Sequence, residues 1–464
     1  MRVVVLGAGL AGLSAAYELT RNGVQVLVLE MDSQVGGLAK SFSKNGFTFD
    51  LGPHRFHTKQ EDLISHMKGV MGDNLVVRNR KSRIYLFKKF FDYPLRFSNA
   101  LATMPPVVTL KILIDYLKVK LLNVLSPHPD DSFESWVTNR FGHTLYKIFF
   151  GEYTEKTWGI PCDKISADWA AQRISLLSLW DTVVKTLFKF GDTPRTYVSR
   201  FYYPAHGGIG EICNTYARLI RDNGGKILLN SPVREIHIED GSVNGVVYED
   251  NGVMKNVDCD YLFSTVPLTD IISMIKPNPP EELFHHSSEL SFRSIMFAQI
   301  MVNKDSLSDD HWIYLPEKHI LGNRVTEYKN FSVNNAPEGK TVIGVEITCD
   351  YDDEIWNMDK AELTRRVISD LHDIEFISMG DVIDSVVNRM KHAYPIYDLD
   401  YQDHLNPLKE YLDSLSNLSY FGRNALFRYN NMDHSVDMGL KAARNILGSE
   451  VDYRMAATGN QWFG

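Results

Sequence analysis

The sequence predicts a mixed α/β fold, and three observations predict it. The apolar strand pattern Val3–Leu6 breaks into Gly7-Ala8-Gly9-Leu10-Ala11-Gly12, and a helical pattern from Leu13 to Leu19 follows. A second apolar run, Val24 to Leu29, ends in an acid, Glu30. Farther on, helical periodicities fill 95–195, whereas 290–348 carries β-branched and aromatic strand patterns.

The glycine spacing has a physical reason. Gly7 permits the tight turn out of the strand, Gly9 lets a pyrophosphate approach the backbone, and Gly12 lets helix and strand pack closely. The free N–H groups of the first helical turn, which holds Leu10 and Ala11, then face the phosphate charge. Glu30 stands 18 residues past Gly12, where an acid accepts hydrogen bonds from ribose hydroxyls. Strand, helix, strand and acid in register predict a bound dinucleotide.

A chain of 464 residues, 44% hydrophobic and 23% charged, is too long for one core and predicts two or three globular domains. The net charge of −9 argues against nucleic acid as a partner, so an anionic substrate would need local arginines. Cys162, Cys213, Cys259 and Cys349 are far apart and form no C-x-x-C pair. That argues against a structural zinc, predicts no metal, and fits a reducing, cytoplasmic setting. The N-terminal apolar run breaks at Gly7 with no basic region before it, so it reads as a strand rather than a signal peptide. No apolar run reaches the roughly 18 residues of a membrane span. Leu110 to Leu125, apolar and basic at helical spacing, reads as a helix packed in a helical domain in preference to one on a membrane surface. The oligomeric state is not visible, which leaves a homo-oligomer open.

Phe201 to Gly210 reads as a Gly- and aromatic-rich turn, Glu211 to Asp222 as a helix and Lys226 to Asn230 as a strand. Val233–Glu239 and Gly245–Glu249 read as a hairpin opened by Asp240-Gly241, and Tyr261 to Pro267 as a strand entering a turn. A helix over 357–372, a strand at Leu418–Phe421 and a closing helix at Val436–Leu447 complete the pattern. The predicted organisation is a discontinuous dinucleotide domain (1–75, 200–270, 385–464), a helical insertion (80–195) and a strand-rich substrate insertion (271–384).

The doublet Gly36-Gly37 follows the acid. With it, the layout resembles the glutathione-reductase-type FAD proteins, including amine oxidases, protoporphyrinogen oxidases and UDP-galactopyranose mutases. The resemblance implies a Rossmann-like FAD domain with an inserted helical domain and an inserted antiparallel sheet, and adds Met31, Gly37, Leu38 and Val233 to the cofactor contacts.

Four further motifs resemble the UDP-galactopyranose mutases. Gly52-Pro53-His54-Arg55-Phe56-His57-Thr58 is similar to their G-P-H-x-F-H-T loop, which implies His54 and Gly52 beside the flavin ring. Either histidine also reads as a satisfied loop residue. Phe149-Phe150-Gly151-Glu152-Tyr153-Thr154-Glu155-Lys156-Thr157-Trp158-Gly159 matches F-F-x-x-Y-T-x-K-x-W-G. There Phe149, Phe150 and Tyr153 would hold a uracil ring by stacking, worth ~1–3 kcal/mol per base, with Trp158 by the sugar-diphosphate. Arg173, 15 residues after Trp158, and Arg324, in Asn323-Arg324-Val325-Thr326-Glu327-Tyr328-Lys329-Asn330-Phe331, match diphosphate-binding arginines. Glu346 matches the acid after the Arg324 strand. In the tail, Tyr394-Pro395, Gly422-Arg423 and Tyr429-Asn430-Asn431-Met432-Asp433 resemble Y-P…G-R-x-x-x-Y-x-Y-x-D-M. Phe427 replaces its middle Tyr, and Asn431 stands where bacterial mutases have Asp. Tyr394 and Tyr429 would bind the diphosphate. Gly422, Arg423, Asn430, Asn431 and Met432 would contact FAD.

What this resemblance implies is a redox-neutral isomerase of a nucleotide-diphosphate sugar. The N5 of reduced FAD attacks the anomeric carbon, the ring opens and recloses between pyranose and furanose, and NAD(P)H serves as reductant. The rival expectation is an oxidase or dehydrogenase of the amine-oxidase or protoporphyrinogen-oxidase type.

Overall fold

The computed structural model describes residues 1–93, 104–125, 129–173 and 199–454. The part of the helical expectation over 174–195 lies outside the described residues.

Val3, Val4, Val5 and Leu6 are fully buried because their strand is the centre of a five-stranded parallel sheet. The order is Leu418–Tyr420, Tyr261–Ser264, Arg2–Leu6, Gln25–Leu29 and Lys226–Leu228. Val4 lies between Leu262 and Leu27, so three distant chain segments meet in one sheet. Helices Leu10–Arg21 and Met432–Ile446 pack together on it. Ser14 Oγ donates to the Val436 carbonyl at 3.4 Å, and Arg444 Nε meets Glu18 Oε1 at 3.0 Å. These contacts fasten the C-terminal segment to the N-terminal turn.

A four-stranded sheet flanks this unit in the order Val253–Asp258, Ser242–Asp250, Val233–Glu239 and Ile275–Lys276. Asp240 and Gly241 both have positive φ, +48° and +74°, which suits a tight two-residue hairpin. The hairpin falls where the sequence places it. The strand Val253–Asp258 escapes sequence reading because its side chains are mostly exposed, so no buried face imposes an alternating pattern.

The third sheet has seven strands, ordered Val382–Pro395, Phe292–Val302, Thr341–Cys349, Arg324–Glu327, Trp312–Tyr314, Ser82–Leu86 and Lys89–Asp92. Its membership departs from the expected boundaries. Ser82–Leu86, assigned to the helical insertion, pairs in parallel with Trp312–Tyr314 and brings Lys89–Asp92 with it as an antiparallel neighbour. Val382–Pro395 carries the sheet beyond 384, while Ile271, Ile272 and Leu283 pack into the dinucleotide core. Such pairing depends on partners hundreds of residues away, which local periodicity does not carry.

The described helical part comprises Pro106–Leu125, Phe133–Phe141, a helix running from His143 to Trp158, and Ala167–Arg173. Ser132 begins Phe133–Phe141 with a reciprocal cap: its Oγ accepts from Ser135 N at 3.2 Å and its own N–H donates to Ser135 Oγ at 2.9 Å. Trp136, Phe141, Tyr146 and Trp158 form a core with Ile84, Leu86 and Phe91 of the seven-stranded sheet. Pro106–Leu125 buries Ile112 and Tyr116 but leaves Leu110, Ile114, Leu117 and Leu121 exposed, so it is only partly packed. Among the described residues, no helix is long and apolar enough to cross a membrane.

Candidate active site

A cavity of about 610 Å³ opens at the carboxyl ends of the parallel strands and runs to the seven-stranded sheet. At one end lie Gly7, Gly9, Leu10, Ala11, Glu30, Met31, Gly36, Gly37 and Leu38, with Val233 beside them. The helix that starts at Leu10 has no side-chain cap, which leaves its first N–H groups for an anion. Glu30 is anchored on backbone: Oε2 accepts from Ala8 N at 2.7 Å and Oε1 from Asp32 N at 3.0 Å. Gly36 N donates to Ala8 O at 2.8 Å, which brings the glycine doublet against Gly9. A Cβ on Gly12 would stand 2.2 Å from the Gly7 carbonyl oxygen, so the turn requires glycine there. This cradle fits the pyrophosphate end of a flavin dinucleotide.

The other end is built on the loop after Phe47–Asp50. The Asp50 carbonyl accepts from Tyr328 Oη at 2.7 Å and Gln299 Nε2 at 2.8 Å. Its carboxylate accepts from Ser41, from Tyr203 Oη at 2.6 Å and from Ile209 N at 3.1 Å. Burial nonetheless raises its pKa to about 6. Gly52 follows at φ +90°, where a Cβ would press on Glu346 and Phe297. His54 then enters the cavity with its Nδ1 unpartnered among the described residues. Burial, then the charges of Arg423, Arg324 and Arg55, lower its pKa to about 3, so the ring is neutral at pH 7. His57 is 5% exposed, also lines the cavity, and has neither ring nitrogen partnered among the described residues.

Arg324 and Glu346 form the wall opposite. Arg324 Nε and Nη2 bind the Glu346 carboxylate at 2.7 and 2.6 Å, and the guanidinium lies 5.6 Å from the Tyr314 ring. Tyr394 and Tyr429 stack beside them, with ring centroids 5.3 Å apart and planes 9° from parallel. Arg423 stands over both rings, 4.7 Å from Tyr429 and 5.5 Å from Tyr394. It donates to the carbonyls of Asn430 and Ala393, which ties its guanidinium to the backbone. Burial raises the Tyr394 phenol, which keeps it protonated.

The structure gathers His54, Arg324, Tyr394, Tyr429, Gly422, Arg423, Asn430, Asn431 and Met432 in one lining with the glycine turn. Gly12 and Gly52 shape that lining from behind. The aromatic segment lies outside this lining. Phe149, Phe150, Tyr153 and Trp158 do not line the cavity. Phe149 sits edge-on to Phe91 at 6.0 Å and Phe150 stacks on Phe141 at 6.1 Å. A π-helical turn over Tyr146–Gly151 sets their direction, a distortion invisible to a 3.6-residue pattern. Tyr153 packs on Tyr314 at 5.7 Å and Trp158 lies 5.9 Å from Tyr394, so both back the cavity wall. Arg173 ends the helix Ala167–Arg173, and its side chain lies outside the described residues. Sequence reasoning missed Trp169, whose ring is 4.5 Å from Trp158 and 5.3 Å from Tyr429. It also missed Arg55 as a site residue, because it occupies the unspecified position of the histidine motif.

The family described as flavin containing amine oxidoreductase matches residues 10–447. A 4,4'-diapophytoene desaturase (4,4'-diapolycopene-forming) of Methylomonas sp is 24% identical over 309 residues, 61% of this chain and 58% of that protein. The chain thus spans about three-fifths of that relative's length. An L-amino-acid oxidase of Crotalus adamanteus is 46% identical over 67 residues, 14% of this chain and 13% of the oxidase. The structure of reduced UDP-galactopyranose mutase is similar with a TM-score of 0.86 at 23% identity, over 100% of this chain and 99% of that one. Putrescine oxidase bound to putrescine gives 0.65 at 15% identity, over 97% and 100%. At these identities the structural likeness is one of fold. The match from residue 10 to 447, laid over a cavity with a dinucleotide cradle at one end, makes this chain a member of the flavin-containing amine oxidoreductase family.

Proposed function

We propose that this chain is an FAD-dependent mutase that interconverts the pyranose and furanose forms of a nucleotide-diphosphate sugar, with no net redox change. The observation that carries the reading is the presence of Arg324 and the stacked Tyr394–Tyr429 pair in the same cavity as the dinucleotide cradle. Reduced flavin, when bound, supplies the nucleophile for the anomeric carbon.

The chain's own residues handle the leaving diphosphate. Glu346 occupies one edge of Arg324 and fixes its plane, which leaves Nη1 for a phosphate oxygen. Positive charge aimed where charge develops lowers the barrier most. Tyr394, held protonated, donates a hydrogen bond to the same group, and with Tyr429 retains it for return. Neutral His54 orients the flavin edge. Phe149, Phe150 and Tyr153 remain the proposed wall for a uracil base, and Arg173 a second diphosphate contact. NAD(P)H is the proposed reductant.

A second reading, an FAD-dependent oxidase or dehydrogenase, is favoured by the desaturases among the sequence relatives. Four arginines in the lining suit an anionic substrate better than a polyene. Incubating dithionite-reduced protein with UDP-galactose and separating the products by chromatography tests the choice. A furanose product supports the mutase. Flavin bleaching by an amine, a porphyrinogen or a carotenoid precursor, with no isomerisation of any nucleotide sugar, would replace it with the second reading.

A further inference from the structure

Four arginines line the cavity: Arg55, Arg234, Arg324 and Arg423. Three are spoken for. Arg234 pairs with Glu249 at 2.7 Å, Arg324 with Glu346, and Arg423 with backbone carbonyls. Arg55 differs. Its guanidinium lies over the Trp312 ring, 4.5 Å from the centroid, and among the described residues it has neither a carboxylate nor a hydrogen-bond acceptor. Arg80 stands over the same ring at 5.4 Å. Burial first, and then Arg80, lower the Arg55 pKa to about 10, which leaves it charged at pH 7.

A second, independent observation lies beside it. Buried His57 lines the same cavity, no side-chain partner meets either ring nitrogen among the described residues, and Arg55 exerts the largest charge effect on it. A buried imidazole without side-chain partners beside a half-buried cation that lacks a carboxylate is costly unless a ligand completes the pair. Besides Arg80, the groups that act on Arg55 are Tyr314, Arg324 and Tyr429, which belong to the reactive end and not to the Gly7–Gly12 turn. The pyrophosphate of the dinucleotide is therefore at the wrong end to be its counter-ion.

Building on the nucleotide-sugar reading, we infer that Arg55, assisted by His57, binds an oxyanion of the substrate and supplies the uncompensated positive charge that the Arg324–Glu346 pair lacks. Two sources share this chemistry: a phosphate oxygen of the diphosphate, or a carboxylate on the sugar.

The test uses the flavin-loaded full chain as wild type, Arg55→Met and Arg55→Lys. Met keeps an apolar stem over Trp312, and Lys keeps the charge without the planar fork. Binding of UDP, UDP-galactose and UDP-glucuronate is measured by calorimetry, with the flavin reduction potential in parallel. Arg55→Met is expected to weaken at least one ligand by about 10- to 100-fold, with Arg55→Lys between it and wild type. Weakening of all three ligands assigns the diphosphate; weakening of UDP-glucuronate alone assigns the carboxylate. Affinities within twofold of wild type for all three ligands would overturn the inference, and a shifted flavin potential in that case puts the partner on the cofactor. A wild type that binds none of the three also overturns it. If Arg55→Met does not fold, Arg55→Lys must still weaken one ligand several-fold. Absence of furanose product with normal UDP binding would defeat the mutase reading while leaving this result intact.

Discussion

Arg324 and Glu346 lie opposite one another on adjacent antiparallel strands, and their side chains close a two-point ion pair inside the cavity. The pair fixes the guanidinium plane while neutralising its charge. Arg324→Ala should therefore do two separable things. It removes a donor from the leaving group, which should cost about 10²–10³-fold in kcat. It also strands a buried carboxylate, worth about 3–5 kcal/mol of stability. The double variant Arg324→Met/Glu346→Leu should recover most of the stability and none of the turnover. Thermal unfolding and steady-state kinetics on wild type, Arg324→Ala and the double variant check this, and recovered turnover would show that Arg324 matters only to Glu346.

The Tyr394–Tyr429 stack separates a hydroxyl effect from a packing effect. Tyr394→Phe keeps the ring under Arg423 and should leave unfolding within about 1 kcal/mol of wild type, while turnover falls roughly 10-fold. Tyr429→Ala opens a gap between Arg423 and Trp169 and should cost about 3–5 kcal/mol. Equal losses of stability in the two variants would contradict the division.

Gly12 tests the cradle. A methyl group there meets the Gly7 carbonyl at 2.2 Å, so Gly12→Ala must open the turn that receives the pyrophosphate. The purified variant should lack flavin absorbance at about one-to-one loading and recover little on addition of FAD. A fully loaded Gly12→Ala protein would place the dinucleotide elsewhere.

His54 predicts a pH effect with a definite sign. Its folded pKa, about 3, lies below the ordinary histidine value of 6.5. Between these values the unfolded chain takes up a proton that the folded chain refuses. This contribution to stability is thus complete above about pH 6.5 and is lost as the pH falls toward 3. Its slope is up to ~1.4 kcal/mol per pH unit. His54→Gln should flatten the stability profile by that slope over pH 4–6. Denaturant midpoints at three pH values measure it, and an unchanged slope would mean that His54 titrates normally.

The sequence and the structure agree where contact geometry dictates residue type. The Gly7–Gly12 spacing, Glu30 and the Gly52–Thr58 loop were legible because close backbone approach admits few alternatives. The Asp240-Gly241 hairpin was legible because consecutive positive φ values favour such residues. Ser82–Leu86 was not, because its place in the seven-stranded sheet rests on parallel pairing with Trp312–Tyr314. The setting of Phe149 and Phe150, outside the lining of the dinucleotide cavity and against Phe91 and Phe141, was not legible because a π-helical turn at Tyr146–Gly151 departs from the 3.6-residue pattern. Arg55 was hidden because a motif position open to any residue carries no expectation, and only the environment of Trp312 and His57 gives it one.

Redox-neutral chemistry is distinguished from oxidation by counting turnovers per electron pair. The flavin-loaded protein is reduced once with a stoichiometric amount of dithionite under anaerobic conditions and given excess UDP-galactose. A mutase should give many furanose products per reduced flavin, a flavin still reduced at the end, and no product from the oxidised protein. Product limited to one equivalent per flavin, or formed only as the flavin changes oxidation state, would contradict the mutase reading.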